Sequence, residues 1–185
     1  MAVARRMSED AYQQFVLTGV EGAWELHDGR LVEKPAVTWK HGGIVALLSY
    51  SLQGQLDRAE YRVFYESRVR RPMATILMPD LMVAPAADGE AIRDVPVLAI
   101  FSDPLPLVVE VWSPSTGDYD VDTKLPVYQQ RGDLEIWRIH PYERTLTSWQ
   151  RQPDGSYQET LHRGGIVTPI ALPWVTIDLD TLYDA

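Results

Sequence analysis

Cysteine is absent from the 185 residues. That excludes a disulfide framework and thiolate metal ligands, and it suits a reducing interior. Long apolar runs are missing too. The longest, Ile44–Leu48 and Leu105–Trp112, fall far short of the roughly 20 residues a membrane span needs. The N-terminus, MAVARRMSEDAYQQF, carries two arginines with no apolar segment behind them, so no secretory leader is expected and the cytoplasm is the expected location. Positive charge is scarce: 17 Lys and Arg stand against 26 Asp and Glu, a formal net charge of −9. Nucleic-acid affinity draws heavily on cations that neutralise phosphates, so a non-specific DNA coat is excluded. Any nucleic-acid role requires cations gathered locally. One such group exists, Arg62, Arg68, Arg70 and Arg71, and its first reading is a solvated edge strand whose charges block edge pairing.

What is present is an ordinary globular composition, 45% hydrophobic and 23% charged, which argues against disorder. No repeat, low-complexity tract or linker divides the chain, so residues 1–185 are expected to form one domain. Ser8 before Glu9 and Asp10 is an N-cap with acidic first-turn residues, opening a helix that stops near Gly19. Asp28-Gly29 between Trp24-Glu25-Leu26 and Arg30-Leu31-Val32-Glu33 predicts a hairpin. Thr38 caps a second helix whose apolar positions run from Ile44 to Leu56 at helical spacing.

Two strand-like runs follow, Tyr61–Val69 and Thr75–Ala84, split at Arg71-Pro72. Residues 85–104 have weak pattern. Leu105–Trp112 is a further apolar strand, and Ser115 or Thr116 caps a helix through Val121, Leu125 and Tyr128 that Gly132 stops. Leu134–Ile139 is a strand. Short strands fill the rest, with a last helical turn near Asp180–Tyr183. This order indicates an α/β fold with the apolar middle strands at the sheet centre.

The informative feature is where carboxylates interrupt apolar strands. Asp80 lies between Ile76-Leu77-Met78-Pro79 and Leu81-Met82-Val83, and Glu110 is embedded in Leu107–Trp112. A buried, unpaired carboxylate costs several kcal/mol, so the fold must supply a partner. A divalent cation held by two carboxylates and a backbone carbonyl is one solution, and Mg²⁺ favours such oxygen ligands. Lys124, on the helix after the second acidic strand, could stabilise developing phosphate charge. Structural alternatives stay open at this point. Asp80 can accept a hydrogen bond in a turn after proline, Glu110 can pair with an arginine across the sheet, and Lys124 can pair with Asp120 one helical turn earlier.

Several segments together resemble a family. Trp24-Glu25-Leu26-His27-Asp28-Gly29 is similar to a "YELIDGE" hairpin, and Met78-Pro79-Asp80-Leu81 to a "QPDL" segment. Leu107–Thr116 is close to "LVVEVLSPST". Lys124, Tyr128, Gly132 and Glu135–Ile139 follow a "K-x-x-x-Y-x-x-x-G-V-x-E-Y-W-I-V" pattern. These belong to the Uma-type restriction endonucleases of the PD-(D/E)XK nuclease superfamily, and the resemblance covers nearly the whole chain. It implies a restriction-endonuclease-like mixed β-sheet flanked by helices, with an N-terminal helix and hairpin and extra C-terminal strands. It implies metal binding by Asp80, Glu110 and the Val111 backbone carbonyl. Lys124 then replaces a lysine usually found two residues after the glutamate, where Trp112 stands. Glu25 and His41 map onto a hairpin glutamate and a helix-opening histidine and are supporting candidates. Two departures stand out: Arg30 where a glutamate is usual, and His140 where an aspartate is common.

The expected function is a Mg²⁺- or Mn²⁺-dependent endonuclease hydrolysing phosphodiester bonds of nucleic acid, with DNA favoured, no membrane partner, and a homodimeric assembly. The alternatives are a non-catalytic binding or regulatory module on the nuclease fold, or one subunit of a larger nucleic-acid-processing assembly. Fold alone does not decide among them.

Overall fold

The computed structural model describes residues 6–185. The first five residues, on which the expectation about a leader partly rests, lie outside the described residues. Ser8 caps α1 (Glu9–Leu17) by accepting a hydrogen bond from the Ala11 amide. β1 (Ala23–His27) and β2 (Arg30–Lys34) pair with His27 opposite Arg30. The two-residue connection has positive φ at both Asp28 and Gly29, the conformation that matches strand twist and that Asp-Gly favours. Thr38 caps α2 (Trp39–Gln55) through the His41 amide.

The next two runs differ from expectation. Tyr61–Val69 is two strands, β3 (Tyr61–Phe64) and β4 (Arg68–Arg71), and Thr75–Ala84 is likewise β5 (Thr75–Leu77) and β6 (Leu81–Pro85). After β7 (Ile100–Phe101) comes β8 (Leu107–Val111). Beyond it lie α3 (Leu125–Arg131), β9 (Glu135–His140), β10 (Thr145–Arg151), β11 (Tyr157–His162), β12 (Ile166–Val167), β13 (Ile177–Asp178) and α4 (Leu179–Tyr183). The strands form a six-stranded sheet in the order β11-β10-β9-β8-β6-β3, a five-stranded sheet in the order β2-β1-β5-β4-β7, and a separate β12-β13 pair. Both misread runs therefore change sheet midway. Glu66 has φ +55° at the first bend, and Met78-Pro79-Asp80 makes the second. Proline cannot donate to a strand ladder, so the ladder is interrupted there.

The six-stranded sheet is mixed: β6 runs antiparallel to β8, and β8 parallel to β9. Strand alternation sends Leu81, Val83, Leu107, Val109 and Val111 to one face, where they pack with Ile44, Leu48 and Leu52 of α2. Met82, Ala84, Val108 and Ile136 face the other way, onto Val127 and Tyr128 of α3 and onto the five-stranded sheet. A third cluster, Tyr12, Leu26 and Ile76, seats α1 on the hairpin.

The helix expected from Thr116 is also different. A wider turn, closed by the Leu125 amide on the Asp120 carbonyl, spans Asp120–Lys124 before α3 begins. Pro126 explains it. An α-helix running through this point would need an amide at 126 and would drive the proline ring into the carbonyl of residue 122. Gly132 ends α3 with φ +80°, a left-handed cap that glycine adopts without a Cβ penalty.

The arginine group lies at a sheet edge only in part. Arg62 lies on the outer strand β3, but β4, which carries the other three, lies between β5 and β7. Arg68 donates to the Tyr12 hydroxyl, Arg70 faces Glu9, and Arg71 binds Asp28. Arg68 and Arg71 thereby hold α1 and the hairpin, while Arg70 is a partly exposed contact. Of the C-terminal aromatics, Trp149 is in the core, the Tyr157 hydroxyl donates to the Asp133 carbonyl, and Trp174 is half-exposed against Tyr61. Among the described residues no helix is long and apolar enough to cross a membrane.

Candidate active site

Pairing between β6 and β8 places Leu81 opposite Val109. One further step along this antiparallel register brings Asp80 opposite Glu110, and directly opposed residues share a face. The β5–β6 bend frees Asp80 from the ladder. Its Oδ2 accepts the Val111 amide at 2.7 Å and meets His41 Nε2 at 3.0 Å, while Oδ1 pairs with Lys34 Nζ at 2.7 Å. Thr38 fixes the first turn of α2 and so aims His41 at the end of β6.

On the α3 side, the Asp120–Lys124 turn carries Lys124 over β8. Its Nζ lies 3.1 Å from Glu110 Oε1, 3.0 Å from Glu25 Oε1 and 3.6 Å from Asp120 Oδ1. Tyr128 donates its hydroxyl to the same Glu110 oxygen, and Glu25 accepts the Met78 amide at 2.7 Å. Glu25, His41, Asp80, Glu110 and Lys124 are all buried, and so is Asp120. All five candidate side chains thus belong to one buried polar cluster. Val111, the sixth candidate, touches Asp80 through its amide.

The alternatives left open by the sequence separate here. Arg138, opposite Glu110 on β9, turns away to Asp118, so Glu110 is partnered by Lys124 and Tyr128 instead. Lys124 does face Asp120, as one-turn spacing requires, and reaches Glu25 and Glu110 as well. Sequence reasoning missed Lys34 and Asp120. The hairpin register held the signal for Lys34, because Glu25 is opposite Val32 and Lys34, two residues on, shares that face. Asp120 was visible only as the helical neighbour of Lys124.

Electrostatics set the two central acids apart. Burial pushes the Asp80 carboxyl up, but Lys34 and the His41 hydrogen bond overcome this and hold it well below the usual range. Glu110 is pushed up to about 8 by burial, reinforced by Asp120 and Asp80, with Lys124 only partly opposing. Burial also raises Asp120. Desolvation pulls Lys124 down, yet Glu110, Glu25 and Asp120 leave it well above its normal value. Oppositely displaced carboxyls side by side recur at acid–base and ligand sites, and in buried ion-pair networks as well.

The donor set fits a hard divalent cation. Four carboxylates, Glu25, Asp80, Glu110 and Asp120, face two ammonium groups, and both Asp120 oxygens are buried without a hydrogen-bond partner. Among the described residues no three His, Asp or Glu side chains are already spaced as a cation cage. The lysines sit on the carboxylates.

Two openings reach this cluster. A cleft of about 510 Å³ leads to Lys34, His41 and Asp80, and a smaller one of about 220 Å³ leads to Glu25, Tyr119 and Lys124.

Opposed acids at the ends of β6 and β8, an adjacent lysine, and a mixed sheet between helices define a restriction-endonuclease-like protein. The sequence pattern of the Uma2 family, described as "Putative restriction endonuclease", matches residues 10–180, and the chain belongs to that family. A crystal structure described as "a putative nuclease belonging to DUF820 from Anabaena variabilis ATCC 29413" superposes with a TM-score of 0.75 at 19% identity, covering 89% of this chain and 92% of that one. At that identity the likeness speaks for the fold. No curated protein matches the chain.

Proposed function

We propose that the protein is a Mg²⁺- or Mn²⁺-dependent endonuclease that hydrolyses phosphodiester bonds of nucleic acid, DNA in preference. One observation carries the reading: Asp80 and Glu110 come into register across β6 and β8 with Lys124 seated on Glu110. Asp80, Glu110 and the Val111 carbonyl are the groups to hold the ion. When bound, it supplies Lewis-acid polarisation of the phosphodiester and offsets the charge that develops there.

The chain's own residues prepare that setting. Lys34 keeps Asp80 ionised, and His41 fixes its orientation. Glu25 holds the Lys124 ammonium beside Glu110, where a fixed positive charge stabilises an anionic transition state. Tyr128 locks the Glu110 carboxyl. In this reading residues 1–185 form one domain, working in the cytoplasm as a homodimer.

The test is cleavage of plasmid, single-stranded DNA and RNA with Mg²⁺, with Mn²⁺ and with EDTA. Asp80→Ala and Glu110→Ala should reduce metal-dependent cleavage to background, and Lys124→Met should slow it by about 10²–10³-fold. Cleavage that persists in EDTA, or that survives both alanine variants, overturns the reading.

A second reading, a non-catalytic module, is favoured by the internal pairing of Asp80 with Lys34 and of Glu110 with Lys124, which neutralises much of the cluster without any ion. No binding of Mg²⁺ or Mn²⁺ at millimolar concentration would select it.

A further inference from the structure

The larger cleft does not look like a groove for duplex DNA. Its floor is Lys34, His41 and Asp80, but its walls are apolar and aromatic, including Pro35, Val37, Val45, Tyr50 and Tyr65. Lys34 is the only Lys or Arg among the described residues that line it, and that ammonium is already spent on Asp80. Glu66 on the rim adds negative charge. Of the arginines of β4, Arg68 and Arg71 donate to Tyr12 and Asp28, and Arg70 faces Glu9 at 3.5 Å.

Two features face the solvent at this mouth. Tyr50 is 79% exposed and Tyr65 is 62% exposed. Trp39, 93% exposed, stands on α2 eleven residues before Tyr50. Residues 39, 43, 46 and 50 fall at helical spacing, so an aromatic–glycine–alanine–aromatic strip runs along the exposed side of α2 to the cleft. Exposed rings beside a polar floor suit planar, partly apolar ligands. Nucleobases are such ligands, and in a duplex they are stacked on one another and unavailable.

Building on the nuclease reading, we infer that this cleft takes unpaired nucleotides, with Tyr50 and Tyr65 stacking bases while Asp80 and its neighbours meet the phosphodiester. The substrate class is single-stranded or frayed nucleic acid. Base–aromatic stacking is tolerant of sequence and adds affinity that is not electrostatic, which suits a nuclease site in a chain of net charge −9. A volume of about 510 Å³ lies within the range of pockets that enclose small ligands.

The experiment is fluorescence anisotropy with a labelled single-stranded oligonucleotide and the same sequence as a duplex, in Ca²⁺ and in EDTA. Binding is thereby read apart from cleavage, and a failure here is distinguishable from a failure of the nuclease reading. Single strand should bind at least tenfold tighter than duplex. Tyr50→Ala and Tyr65→Ala should each weaken it by about tenfold, and Tyr50→Trp and Tyr65→Trp should restore it. Both side chains are largely exposed, so the variants should fold, which circular dichroism checks. Affinity should fall less than tenfold between 50 and 200 mM salt, because few phosphates are neutralised. Equal or tighter duplex binding, no binding to either probe, or alanine variants that bind as well as the parent each overturn the proposal. So does a Tyr50→Ala variant that turns a dimer into a monomer with DNA binding unchanged, since the ring would then serve a second copy of the chain.

Discussion

Glu110 is buried beneath Lys124 and Tyr128, both of which donate to its Oε1. Its carboxyl is pushed up to about 8 from an ordinary value of 4.5, by burial first and by Asp120 and Asp80 next. The folded state therefore holds a proton that the unfolded state releases. A group raised in this way contributes stability that is fully present below about pH 4.5 and is lost as pH rises towards 8. In EDTA, urea midpoints of the parent should fall across that window. Glu110→Gln, which cannot titrate, should flatten the profile, and equal slopes in parent and variant would contradict the assignment. Asp80 has the opposite sign, since Lys34 and His41 favour its charged form over the cost of burial. Its contribution is present above about pH 3.8 and disappears only in acid. The sequence showed that both acids interrupt apolar strands, and it singled out Lys124, Glu25 and His41. It did not show that a lysine from the hairpin would sit on Asp80, because a diagonal contact across two strands is readable only once the register is known.

Elements tell a similar story of local success and non-local failure. The first hairpin, the cap of α2 and the β8–β9 region follow from short-range signals: Asp-Gly, Thr38, and runs of Leu, Val and Ile. The two bends did not, because a strand that leaves one sheet and joins another keeps its apolar pattern throughout. Only Pro79 offered a hint, and the helix beyond residue 116 was misjudged because Pro126 was passed over. The end of α3 shows how far such joints reach. Arg131 is buried and binds Asp133 by two hydrogen bonds, and its guanidinium also donates to the carbonyls of Arg70, Phe101 and Asp103. Asp133 in turn accepts the Leu105 amide at 2.8 Å. Helix, both neighbouring strands and the approach to β8 are tied at one point. Arg131→Met should lower the free energy of unfolding by about 3–5 kcal/mol, because it leaves Asp133 charged and unpaired inside the protein. Chemical denaturation checks this, and a loss under 1 kcal/mol would show that the clamp is incidental.

At the scale of the whole molecule, the candidate site lies where the two sheets meet. Glu25 and Lys34 come from the five-stranded sheet, and Asp80 and Glu110 sit at strand ends of the six-stranded one. The sheets should therefore unfold together, with near- and far-ultraviolet circular dichroism giving one coincident transition. Mg²⁺ at a hundred times its dissociation constant should stabilise the fold by about 2.7 kcal/mol, a rise in Tm of roughly 5–10 °C for a chain of this length. Separate transitions for the two probes would contradict the coupling, and an unmoved Tm at saturating Mg²⁺ would contradict the ion site.

The bend at Met78-Pro79-Asp80 brings one more consequence. A single stretch of backbone both delivers the acid and stitches the halves of the protein, with Lys34 donating to the Met78 carbonyl and the Met78 amide donating to Glu25. Whatever settles on Asp80 also grips that suture. Amide protons of β1 and β6 should then exchange more slowly in step when the cleft is filled, although an occupant touches only a few side chains.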